Sequence, residues 1–173
     1  MNVTARSYAM QIANFSYCIG AALAQANAMM AGWRIGAKEL EECDRGTRKA
    51  ALYGVITSAC FSITFALTGR YLVHIFTDDP QMIGLVVKLL VVDIFLEFGR
   101  VTNLVYGQAL KTSGDAVFPV IMGAIFMYLC AVGGTYFFGI RLGLLAVGAY
   151  IALASDECAR AGGMMLRWRS GKW

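Results

Sequence analysis

The chain has 173 residues, of which 58% are hydrophobic and only 15% charged, and its mean hydropathy is +0.60. Soluble domains usually carry about 25% charged residues, so the composition excludes an ordinary water-soluble globule and indicates a protein embedded in lipid. The net charge of +4 does not imply nucleic acid as a partner, because the basic residues cluster between apolar runs, as in the loops of membrane proteins.

Five apolar segments follow one another along the chain, and each is long enough to cross a bilayer, which takes roughly 20 apolar residues. Strands are not expected, because open sheets do not span membranes and these runs do not alternate. The sequence therefore predicts an all-α polytopic membrane helix bundle with five transmembrane helices at about 8–33, 50–73, 82–108, 116–139 and 142–166.

The first helix carries two kinds of pattern. Small residues recur at every fourth position from Ser16 to Gly32, which predicts close packing against another helix, with a sliding surface as the alternative. Polar side chains also occur at membrane depth, where they either line a cavity or bond to a neighbouring helix. They are Gln11, Asn14, Gln25 and Asn27.

The polar segments between the helices predict a connector and two helix caps. The stretch RIGAKELEECDRGTRKA (34–50) is typical of a short amphipathic cytoplasmic helix that joins the first two spans. Asp78 or Asp79 is expected to cap the third helix, with Pro80 in its first turn. Asp115 is expected to cap the fourth helix.

The third helix contains the stretch VVDIFLEFGR (91–100), whose Asp93, Glu97 and Arg100 share one helical face. Each charge at mid-membrane costs roughly 2.5–3.5 kcal/mol on insertion scales, so such residues usually face a protein interior or a water-filled cavity. One interpretation is that Asp93 or Glu97 binds a coupling cation or proton. The other is a structural salt-bridge network that joins this helix to its neighbours. Asn103 is a further candidate for cavity lining or helix packing.

The distribution of basic residues predicts the orientation. They follow the first helix, the third helix and the fifth helix, which places these three ends in the cytoplasm and the N-terminus outside. Five helices with an exported start and no signal peptide indicate a fragment of a longer protein. The residues concerned are Arg34, Lys38, Arg45, Arg48, Lys49, Lys111, Arg167, Arg169 and Lys172.

Four stretches in this order resemble the second half of multidrug and toxic compound extrusion (MATE) transporters: GWRIGAKELEECDRGTRKA, IFTDDPQM, LKTSGDAVFPV and SDECARAGGMMLRWRSGKW. The resemblance implies twelve helices in two lobes that export cationic or amphiphilic compounds from the cell in exchange for protons or sodium ions. Residues 1–173 would form a partial C-terminal lobe, helices eight to twelve, in the plasma membrane. Its expected partners are the bilayer, small-molecule substrates and the missing N-terminal lobe.

Two other functions remain open at this point. One is a lipid-linked-oligosaccharide flippase of related architecture, and the other is a small membrane scaffold that binds a partner through the Gly/Ala face of the first helix. An enzyme is not expected, because no HExxH or GxSxG motif occurs. No catalytic residues, metal ligands or cofactors are predicted, apart from the coupling ion.

Overall fold

The computed structural model describes residues 2–173, and this range consists of helices joined by short turns without any strand. Met1, the first residue of the predicted domain, lies outside the described residues. The prediction of an all-α bundle is confirmed, and each predicted span corresponds to one helix. The helices are α1 (Asn2–Gly36), α2 (Leu40–Val73), α3 (Pro80–Thr112), α4 (Val117–Arg141) and α5 (Leu145–Arg169). From Met127 to Arg141, α4 adopts a wider, π-type winding.

The predicted connector helix at 34–50 is wrong as a separate element. The chain turns after α1 through Lys38, which has a positive φ of 62°, and Leu40–Val73 then runs on as one continuous helix. Cys43 and Thr47 are buried on the face of α2 that continues into the bundle. Because this polar segment shares a buried face with the apolar part of α2, it extends that helix.

The two predicted caps have different outcomes. Asp79 caps α3, since its carboxylate accepts a hydrogen bond from the Gln81 backbone N–H at 3.0 Å. The predicted cap at Asp115 is wrong, because α4 has Ala116 at its N-cap position and no side-chain cap. Arg167 of α5 donates instead to Asp115 Oδ2 at 2.6 Å. A charge-assisted hydrogen bond is stronger than a neutral one, and it holds this carboxylate against α5.

Helix α3 lies at the centre of the bundle and contacts α1, α2 and α5, whereas α4 packs mainly on α5. The small residues of α1 allow a close approach to α3. A Cβ atom added at Gly20 would lie 2.7 Å from Val101 Cγ2, and one at Gly32 would lie 3.0 Å from Thr112 Cγ2. The predicted packing role of this four-residue repeat is therefore confirmed.

Two helices, α2 and α4, are long and apolar enough to cross a membrane on length and composition alone. In α3 and α5 the apolar sequence is interrupted by buried charged residues, and in α1 it is diluted by polar amides. The buried charges are Asp93, Glu97 and Asp156. Such helices can lie in a membrane only where other protein groups surround their charges.

The interior is divided into two apolar clusters with a polar layer between them. On α3 the first cluster ends at Leu96 and the second begins at Val101, so Glu97 lies between them. The other three central helices follow the same order, with polar residues between the two clusters. These residues are Ser16 on α1, Ser58 and Ser62 on α2, and Asp156 on α5. A layer of buried polar residues therefore crosses the bundle between its two apolar clusters.

Candidate functional site

Glu97 forms the centre of the polar layer, and its side chain is fully buried. Ser58 of α2 donates a hydrogen bond to Glu97 Oε2 at 3.1 Å, and Arg100 donates to Glu97 Oε1 at 2.5 Å. The hydroxyl of Ser16 on α1 lies 2.8 Å from that of Ser58. Both carboxylate oxygens of Glu97 are therefore occupied, and the group joins three helices.

Arg100 extends this network towards α5. Its Nε lies 4.0 Å from Glu157 Oε1, and its guanidinium carbon lies 5.5 Å from the centre of the Tyr17 ring. Asn103 donates to the other oxygen, Glu157 Oε2, at 2.9 Å. Asn103 thus bonds to a neighbouring helix. Sequence reasoning missed Glu157, whose only signal was its place within the charged SDECAR stretch.

Asp93 has a different environment from Glu97, although the two residues share a helical face. Its side chain is 3% exposed, and no hydrogen bond or ion pair within residues 2–173 involves it; Oδ1 is buried without a partner. Arg100 lies seven residues further along α3, about 10 Å along the helix axis, so it reaches Glu97 rather than Asp93. The predicted trio therefore divides into a bonded pair and an isolated acid.

A second acid of the polar layer, Asp156, lies on α5. Asp156 accepts a hydrogen bond from Arg160, which lies four residues further along the same helix. Arg160 also lies 3.3 Å from Glu157 Oε1. Asp156 Oδ1 and Arg160 Nε have no partner within residues 2–173. Unlike Asp93, Asp156 has a guanidinium in direct contact.

The four amide side chains predicted at membrane depth on α1 separate into an exposed group and one buried residue. Gln11, Asn14 and Gln25 are exposed and share one face of the helix. Asn27 is buried and donates to Thr47 Oγ1 of α2 at 3.4 Å. Amide groups are costly against hydrocarbon, so the exposed face of α1 is suited to water or to another protein surface.

The family model for MatE matches residues 1–137, about four fifths of the chain. The chain belongs to the MatE family. Members of this family are membrane transporters, so the five helices form part of a polytopic membrane protein. Asp93, Glu97 and Asp156 are thus buried inside a bundle of membrane helices.

Three relatives show the extent of this similarity. The "Uncharacterized transporter YisQ" of Bacillus subtilis is 31% identical over 171 residues, covering 99% of this chain and 38% of its own length. "Multidrug and toxin extrusion protein 2" of Oryctolagus cuniculus is 25% identical, covering 75% of this chain and 22% of its own length. "Probable multidrug resistance protein NorM" of Halalkalibacterium halodurans is 21% identical, covering 96% of this chain and 36% of its own length. The chain thus spans well under half the length of these relatives.

Proposed function

We propose that this chain is the partial C-terminal lobe of an antiporter that exports small cationic or amphiphilic compounds in exchange for protons or sodium ions. The membership of the MatE family and the multidrug names of two relatives support this proposal. The main support for ion coupling is the buried carboxylate of Asp93, which has no partner among the described residues.

Asp93 is the residue that carries the coupling ion. An ionised carboxylate without a partner is costly inside a protein, and a bound proton or cation removes much of that cost. Loading and release of this ion therefore change the free energy of the bundle, as an exchange mechanism requires. Glu97 is less suited to this role, because Ser58 and Arg100 already occupy its two oxygens.

Glu97 and Arg100 instead hold the bundle together around Asp93. Removing one partner of a buried ion pair leaves an uncompensated charge, which typically costs about 3–5 kcal/mol. The pair links α3 to α2 through Ser58 and to α5 through Glu157. A rigid frame of this kind keeps the position of Asp93 defined while its ionic state changes.

The exposed amides of α1 line the water-filled path of the substrate. Gln11, Asn14 and Gln25 lie on one face of α1, and contact between their amide groups and lipid chains is energetically costly. This face would oppose the N-terminal lobe of the same transporter across the cavity. The basic residues at the Arg167–Lys172 end of the chain support a cytoplasmic location of this end in a plasma-membrane protein, with the start of α1 outside.

The test compares Asp93→Asn with Glu97→Gln in proteoliposomes that contain the transporter to which this chain belongs. We expect Asp93→Asn to lose efflux driven by a proton or sodium gradient while its unfolding temperature is retained. Glu97→Gln should lower the unfolding temperature, and any loss of efflux should follow the loss of folded protein. Glu41→Gln, which changes an exposed carboxylate in the first turn of α2, is the matched control and should change neither quantity.

Gradient-driven efflux at the normal rate in Asp93→Asn would contradict the coupling role of Asp93. A sodium gradient and a proton gradient should be applied separately, because the two coupling ions are distinguished by which gradient drives efflux. Absence of gradient-driven efflux from the unmodified protein, across a panel of organic cations, would contradict the antiporter proposal itself.

A further inference from the structure

A groove with a volume of about 730 Å³ lies between the last turns of α2 and the first turns of α3. It is at the end of the bundle opposite Trp168, and it is separate from the polar layer. Its walls are largely apolar, whereas charged or titratable side chains stand along it. The apolar walls include Leu67, Ile83 and Val87, and the polar residues are Arg70, His74, Asp78 and Lys88.

The charges of this groove do not balance. His74 and Asp78 form a pair, with 3.3 Å between Nδ1 and Oδ1. Arg70 and Lys88 are exposed, and within residues 2–173 neither forms an ion pair with a carboxylate. The groove therefore presents two cationic groups without an ion-pair partner among the described residues, while its one carboxylate, Asp78, contacts His74.

The surroundings of the groove are apolar and exposed on the outside of the bundle, as a lipid-facing surface would be. Leu67 and Tyr71 on α2 are 78% and 79% exposed, and Phe95 on α3 is 68% exposed. Lys88 follows the start of α3 at Pro80 by eight residues, about 12 Å along the helix. A lysine at this depth can extend its ammonium group along the groove towards the membrane surface, as lysines do at membrane interfaces.

We propose that this groove binds an anionic phospholipid, with its phosphate held by Arg70 and Lys88 and an acyl chain lying along Leu67, Ile83 and Val87. An unpaired cation at a lipid-facing surface is costly, and a lipid phosphate supplies the missing charge at that depth. The apolar walls match an acyl chain, and the two cations match the head group. Basic pockets between transmembrane helices bind anionic head groups by the same physics.

The net charge of the ligand follows from the two cations. A zwitterionic phospholipid brings its own positive group close to the phosphate, so it compensates Arg70 and Lys88 less completely. Phosphatidylglycerol carries a phosphate without that positive group. The loss of both basic residues should weaken binding of the anionic lipid about thirtyfold, which corresponds to about 1 kcal/mol for each residue.

The experiment measures lipid retention by native mass spectrometry. The transporter that contains this chain is purified in mild detergent and titrated with either phosphatidylglycerol or phosphatidylcholine of the same acyl chains. Three proteins are compared: the unmodified protein, the double variant Arg70→Gln/Lys88→Gln, and the control Arg141→Gln. Arg141 is also an exposed arginine, but it ends α4 away from the groove.

We expect the unmodified protein and Arg141→Gln to retain phosphatidylglycerol in preference to phosphatidylcholine. The double variant should lose this preference, with binding of phosphatidylglycerol about thirtyfold weaker. Equal retention of the two lipids by the unmodified protein would overturn the proposal without reference to any variant. So would unchanged preference in the double variant, or an equal loss in Arg141→Gln. These readouts do not depend on efflux, so they separate this proposal from the coupling role of Asp93.

Discussion

Ser58 of α2 donates a hydrogen bond to the carboxylate of Glu97 on α3, with 3.1 Å between Oγ and Oε2. Both side chains are fully buried, and Ser16 of α1 lies within hydrogen-bonding distance of the same hydroxyl. A neutral hydroxyl thus helps to stabilise a carboxylate between two apolar clusters. Such a contact specifies how the helices align along their axes, because apolar surfaces alone can slide past one another.

Ser58→Ala should destabilise the bundle by about 1–2 kcal/mol, because one oxygen of Glu97 loses its hydrogen bond inside the protein. The measurement is the unfolding temperature in detergent. Thr57→Ala is the control, since within residues 2–173 the Thr57 hydroxyl bonds only to the Tyr53 carbonyl of its own helix, at 2.8 Å. Equal unfolding temperatures for the two variants would show that the Ser58–Glu97 contact contributes little.

Gly99→Ala should force α3 and α5 apart. A Cβ atom at Gly99 would lie 2.6 Å from the backbone nitrogen of Cys158 and 2.8 Å from the carbonyl carbon of Glu157. Backbone atoms cannot move aside as a side chain can, so we expect a loss of about 1–3 kcal/mol. The contacts of Arg100 with Glu157 should weaken together with the helix packing.

The matched control for Gly99→Ala is Gly107→Ala on the same helix. Gly107 is also buried, but the nearest atom to its added Cβ would be Asn103 Oδ1 at 3.9 Å, an ordinary contact. The control should retain or raise the unfolding temperature, because alanine favours a helix over glycine by up to about 1 kcal/mol. A higher unfolding temperature for Gly99→Ala than for Gly107→Ala would contradict the close approach of α3 and α5.

The sequence was sufficient to predict the helices and the shared face of Asp93, Glu97 and Arg100. Long charge-free runs and a fixed helical period carry that information locally. The division of the trio into a bonded pair and an isolated acid was not predictable. It depends on where α2 places Ser58 and where α5 places Glu157, and those positions follow from packing over more than 30 residues of sequence.

The failure at Asp115 has a similar cause. An aspartate just before a helix favours a cap on local grounds, whereas the partner that holds it is Arg167, which is 52 residues away. The α1–α2 connector failed for another reason, since charged residues at 40–50 are compatible with a solvated segment or with the polar start of a longer helix. The burial of Cys43 and Thr47 shows that this segment is the start of the longer helix.

The thiol of Cys43 should react slowly with maleimides, because it is buried and its Sγ lies 3.8 Å from the Ala31 carbonyl. Burial raises the pKa of Cys43, against the opposing effect of Arg34, so less of the reactive thiolate is present at neutral pH. The other four cysteines are first replaced by alanine. We then expect labelling of Cys43 to become appreciable only at alkaline pH.

The comparison for Cys43 is a single cysteine at an exposed position of the same segment, Arg45→Cys in a Cys43→Ala background. The Arg45 side chain is 63% exposed, so its replacement should be labelled quickly near neutral pH. Labelling rates at several pH values give the apparent pKa of each thiol. Rates for Cys43 that match those of the exposed cysteine would contradict the burial of this face of α2.

Trp168→Phe should weaken the attachment of the end of α5 to α2. The Trp168 indole is 1% exposed and donates to Asp44 Oδ1 at 2.9 Å, while the ring of Trp173 stacks on it at 4.1 Å. Phenylalanine keeps most of the apolar contact and loses the hydrogen bond to a charged acceptor, so we expect a loss of about 1.5–3 kcal/mol.

Trp33→Phe is the control, because Trp33 is 87% exposed and should tolerate the change within about 0.5 kcal/mol. Unfolding temperatures and the protease sensitivity of the C-terminus measure both variants. Equal sensitivity in the two proteins would show that the last turn of α5 is held by other contacts than the Trp168–Asp44 hydrogen bond.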